Sequence, residues 1–102
     1  MKVFLSHKMN GLSEEEVMQI RKECIEYLEQ RYANEYIEII DNYHHDDAPV
    51  DAGRLWHLGR SIQQMQDADL VYFHESAWNA TGCKAELSVC ILYDIPYIRI
   101  RK

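Results

Sequence analysis

Glycine and proline are scarce, four and two residues in 102, which excludes collagen-like, linker-like and low-complexity chains. Cysteine is scarce too. Cys24, Cys83 and Cys90 form no CxxC pair, and the step from Cys83 to Cys90 along one predicted helix is too long for a disulfide. Their odd number, with no signal-peptide pattern at the start, sets the expectation of a reducing, cytoplasmic setting. No apolar run reaches the roughly 20 residues that span a bilayer, so no transmembrane helix and no membrane partner is expected. Bases are outnumbered, 11 Lys and Arg against 17 Asp and Glu for a formal charge of −6, which argues against a basic surface for nucleic-acid polymers. A mononucleotide is not excluded, because a local loop can meet a few phosphates whatever the net charge. The loop from Ser6 to Gly11 has one glycine where a P-loop or dinucleotide fingerprint needs two or three. His44-His45-Asp46-Asp47 are neighbours in one polar loop, an arrangement that rarely converges on one ion. No further ligand set recurs at metal spacing, and neither metal nor cofactor is expected.

What is present is alternation. The chain is organised around Asp67 to Tyr93, where the apolar run Leu70 to Phe73, a strand buried on both faces, enters a polar turn and then an apolar helix from about Gly82. Before it, Lys2 to Leu5 reads as a first strand. Ser13-Glu14-Glu15-Glu16 is a capping box opening a helix to about Arg31, with Val17, Ile20, Cys24, Leu28 and Tyr32 as its core stripe. Tyr36 to Ile40 is a second strand, followed by the long polar loop Asp41 to Pro49. A second helix runs from about Asp51 to near Asp67, with Leu55, Leu58, Ile62 and Met65 facing the core and Trp56 packing beside them. Asp94-Ile95-Pro96 turns into a last strand, Tyr97 to Ile100. The βαβαβαβ count predicts one α/β domain over residues 1–102, a flavodoxin-like (Rossmann-like) three-layer sandwich. Its four parallel strands are expected in the order 2-1-3-4, with three main helices.

That order places the topological switch point between strands one and three, and ligands in such sheets bind beyond the carboxyl ends of the strands. The loops Ser6 to Gly11, Tyr43 to Pro49 and His74 to Gly82 are expected to converge there. Ser6, Lys8 and the backbone near Gly11 are placed to hold a phosphate or sugar, or to form only a solvated turn. Trp78 is placed to wall a pocket or stack on a base, or to serve only as a structural residue of the rim. Glu86 is expected in the first turn of the third helix, where the positive end of the dipole favours a carboxylate. Asp69 is expected to hydrogen-bond neighbouring backbone. The loop Asp41 to Pro49 is expected to close over the site as a mobile lid.

Three groups of residues carry a resemblance across essentially the whole chain. They are Ser6, Met9, Gly11 and Leu12 after the first strand, Ala68-Asp69 leading strand three, and Trp78-Asn79 followed by Gly82-Cys83 and Glu86. Together they resemble the nucleoside 2-deoxyribosyltransferase-like superfamily, most closely its short phage and prophage members. The resemblance implies that Glu86 is the nucleophile that attacks the anomeric carbon of a deoxyribose and releases the base, for hydrolysis or transfer. It implies a nucleoside or nucleotide ligand held by Ser6, Lys8, Met9, Asn10, Gly11, Trp78, Asn79 and Gly82, and a homodimer or larger homo-oligomer. The chain departs from the pattern at Ser61, where catalytic members carry an Asp, and at Asn79-Ala80-Thr81, where they place an Asp before the glycine. A non-catalytic binder of nucleotides or nucleotide-derived signals, or a protein-interaction module on the same fold, is the alternative.

Overall fold

The computed structural model describes residues 1–99. Its single sheet is built from β1 (Lys2–Ser6), β2 (Glu38–Ile39), β3 (Leu70–Phe73) and β4 (Tyr97–Arg99). All pairings are parallel and the order is β2-β1-β3-β4, with Val3 opposite Leu70 and Val71 opposite Tyr97. The helices are α1 (Glu14–Arg31), α2 (Arg54–Met65) and α3 (Thr81–Leu92). The flavodoxin-like α/β architecture expected from the alternation is therefore present. Ile100, expected to end the last strand, lies outside the described residues.

The central strands explain the layering. Side chains alternate across a strand, so Val3 and Leu5 join Leu70 and Tyr72 against Cys24 and Leu28 of α1. Phe4, Val71 and Phe73 point the other way and pack with Met65 of α2 and Cys83 and Cys90 of α3. All four residues of β3 are buried, as its unbroken apolar run requires. The capping box forms as read: Ser13 Oγ accepts from the Glu16 amide at 3.1 Å and Glu16 Oε1 from the Ser13 amide at 3.0 Å. Asp69 accepts from the Lys2 amide at 2.7 Å, fixing the start of β3 beside β1. The three cysteines are free and buried. Among the described residues no helix is long and apolar enough to cross a membrane.

Several boundaries differ from expectation for physical reasons. β2 is an edge strand of two residues, not five, because it pairs only with Lys2 and Val3, and Tyr36 is exposed. α2 begins at Arg54 behind Gly53, not at Asp51. Its apolar stripe divides: Met65 is buried in the core, whereas Leu55 is 82% exposed, because the first two turns of α2 border a cleft rather than the sheet. Within the turn expected from His74 to Gly82, Glu75–Asn79 form a 3-10 helix, started by the His74 side chain accepting from the Ser76 amide. α3 ends with Asp94 in the left-handed conformation (φ 55°), and the Ile95 amide closes back onto the Cys90 carbonyl at 3.0 Å.

Candidate functional site

A cleft of about 900 Å³ opens beyond the carboxyl ends of β1 and β3, at the switch point. Glu86 lies on its wall, 6% exposed. Ser6, the last residue of β1 and 1% exposed, donates its hydroxyl to Glu86 Oε1 at 2.8 Å. Burial pushes the Glu86 carboxyl up to about 7, and the Ser6 hydrogen bond restrains that rise. The helix-dipole expectation is corrected here. α3 starts at Thr81 and carries no acid in its first turn; Glu86 is in the second turn, where amides are already paired and the field of the helix end has fallen off. Its environment raises the pKa instead of lowering it. Cys83 also lines the cleft, but burial pushes its thiol up to about 12, which leaves it protonated and inert.

Of the residues singled out in the sequence, Lys8, Met9, Asn10, Asn79, Gly82 and Glu86 line this one cleft, with Ser6 directly behind Glu86. Gly11 and Trp78 do not line it. Gly11 takes φ +81°, a conformation glycine adopts without strain, and so turns the β1–α1 loop. The 3-10 helix carries Trp78 to a separate small cavity beside Phe73 and Leu87, with the Arg99 guanidinium 4.2 Å from its ring centroid. Trp78 is thus not positioned beside the Glu86 cleft. Ser61 and Ala80, where the resemblance led to an expectation of acids, both line the cleft. Glu86 is the single carboxylate on the lining among the described residues.

Two parts of the site escaped the sequence reading. One is the face of α2 formed by Arg54, His57, Leu58 and Ser61, spaced i, i+3, i+4, i+7, which makes one wall. The other is a buried polar relay beneath the loops. The Arg21 guanidinium donates to His7 Nε2 at 3.1 Å, to Asn42 Oδ1 at 2.8 Å and to the Ile40 carbonyl at 3.3 Å. His7 donates from Nδ1 to the Lys8 carbonyl at 3.0 Å, and burial pushes its pKa down to about 4, so it is neutral and fixed in one tautomer. Asn42 donates to the Leu5 carbonyl at 2.8 Å. The signal for Arg21 was present, since it falls on the Val17–Cys24–Leu28 stripe, where a charged residue must find partners.

The loop Asp41 to Pro49 is held to α2. His45 stacks on His57 with ring centroids 5.3 Å apart and Nδ1 atoms 3.0 Å apart, so one ring donates and the other accepts. Gln64 donates to the Asp41 carbonyl at 2.8 Å, and Arg60 pairs with Asp47 at 3.2 Å. No group of three or more His, Cys, Asp or Glu that could hold a metal occurs among the described residues. Chemically the arrangement offers one buried carboxylate near its midpoint at neutral pH, a neighbouring hydroxyl, an imidazole pair and a mixed apolar and basic wall. No protein-family model, curated protein or solved structure matches the chain.

Proposed function

We propose that the cleft binds a nucleoside or nucleotide and that Glu86 acts as nucleophile on its N-glycosidic bond. The observation that carries this reading is the buried Glu86 carboxyl, held by Ser6 on the wall of a ligand-sized cleft at the switch point. Desolvation makes a carboxylate more reactive, and a pKa of about 7 leaves a useful ionised fraction at neutral pH. In the first step a Glu86 oxygen bonds to the anomeric carbon as the C–N bond breaks. The bonding pair leaves on the base nitrogen, which takes a proton from water. Water, or a second base, then displaces the carboxylate from the sugar and gives up its proton to solvent.

A second reading is favoured by one specific observation: among the described residues the cleft carries no other acid, with Ser61 and Ala80 on its lining. A pocket so equipped can bind a nucleotide or a nucleotide-derived signal without turnover. Incubation with a panel of nucleosides, deoxynucleotides, cyclic nucleotides and ADP-ribose-type nucleotides, followed for free base and for thermal shift, separates the two. Free base supports the enzyme, and a shift with intact ligand supports the binder. Neither signal with any member removes both.

A further inference from the structure

The charge of the cleft opposes that of the chain. The sequence carries six more acids than bases, yet among the described residues the cleft is lined by the cations Lys8 and Arg54 against the single acid Glu86. Burial disfavours the charged form of Glu86. The two full cations are also uncommitted. Arg60, six residues further along α2, is paired with Asp47, whereas no ion pair involves Lys8 or Arg54 among the described residues. Glu16, which feels the charge of Lys8, is committed to the capping box with Ser13. α2 and α3 both begin on this cleft, and neither has a side-chain cap or an acid in its first turn. Leu55 and Leu58 add an apolar wall to the same cleft.

We propose that Lys8 and Arg54, with His57 beside them, form a phosphate subsite, so that the ligand of this cleft is a phosphorylated nucleoside rather than a free one. Arg54 and Ser61 are seven residues apart on one helix, about 10 Å along its axis. A ligand that meets the cations, the apolar wall and Glu86 of this one cleft has an anion, a flat or apolar body and a reactive carbon. This deepens the proposed function and rests on it for the identity of the body, while the anion subsite stands on the charges alone.

Calorimetric titration of the full chain with inorganic phosphate, pyrophosphate, a nucleoside and its 5′-monophosphate tests the subsite. The monophosphate is expected to bind at least about tenfold tighter than the nucleoside, as one or two charge-assisted hydrogen bonds provide. Phosphate and pyrophosphate are expected to bind with an affinity that falls as salt rises. Arg54→Gln combined with Lys8→Gln is expected to remove the preference for the monophosphate over the nucleoside, with circular dichroism confirming the fold. Equal affinity for nucleoside and monophosphate, a preference that survives the double substitution, or no binding of any phosphate-bearing probe would each overturn the subsite. Tight monophosphate binding with no base released sinks the glycosidic chemistry and keeps the subsite. Equal base release from nucleoside and monophosphate, without a binding preference, does the reverse.

Discussion

At the residue scale, Glu86 and His7 are buried ionisable groups whose shifts oppose one another in their effect on stability. An unfolded glutamate holds its proton to about pH 4.5, and Glu86 in the folded chain holds it to about 7. Glu86 therefore stabilises the fold in acid, and that contribution is lost as pH rises from 4.5 to 7. His7 behaves in the opposite sense. Its pKa falls from 6.5 to about 4, so stability present above pH 6.5 is lost as pH drops towards 4. Each group accounts for roughly 3 kcal/mol across its window, and between pH 4.5 and 6.5 the two nearly cancel. Urea unfolding of Glu86→Gln should therefore show stability rising with pH from 4 to 6.5, with a gain over wild type at pH 8 and little change at pH 4. His7→Asn should show the complementary fall from 4.5 to 7. A Glu86→Gln chain that loses stability at pH 8 would contradict the buried-acid account. The same variant decides the chemistry. Base release should drop by orders of magnitude while nucleotide affinity persists, because the lost interaction belongs to the transition state. In wild type the rate should rise as pH passes about 7, where the nucleophile ionises.

At the element scale, the loop after β2 was expected to be a free lid, and the structure shows how its first residues are anchored. Asn42, 3% exposed, ties the loop to Leu5 of β1 and accepts from Arg21 of α1. Asn42→Ala should cost about 2 to 4 kcal/mol, since it leaves a buried guanidinium N–H and a buried carbonyl without partners. Thermal or urea midpoints check this, and a cost under about 0.5 kcal/mol would mean that water replaces the amide. The elements themselves were largely legible. A three-to-four period located α1, and unbroken apolar stretches located β1, β3 and α3, because burial on one face imposes a period and burial on both faces removes it. What stayed hidden depended on contacts remote in sequence. Nothing local distinguishes Leu55, exposed on the cleft, from Met65, buried in the core: both belong to one apolar stripe, and only the position of the sheet separates them. Trp78 lines a second, smaller cavity because a 3-10 helix, which apolar periodicity does not reveal, sets where its ring points. Glu86 was found through its residue type on an apolar helix, but its turn was misjudged by the uncertain start of α3.

At the scale of the whole molecule, strand order followed from alternation and the handedness of crossovers, which leave few arrangements for four parallel strands. The site followed from the order, since the switch point is a property of topology rather than of any residue. The polarity of the cleft did not follow, because net charge averages over surfaces that face different ways. One consequence of the layering remains. Cys24 belongs to the layer between the sheet and α1, while Cys83 and Cys90 belong to the layer beneath α3. Burial pushes the three thiols up to about 12, 12 and 11, so an alkylating reagent at neutral pH finds almost no thiolate until a layer opens. The chain thus carries two built-in clocks, one on each side of the sheet. Labelling followed by mass spectrometry should read two opening rates, and a nucleotide seated against α2 and α3 should slow modification of Cys83 while leaving that of Cys24 at its former pace.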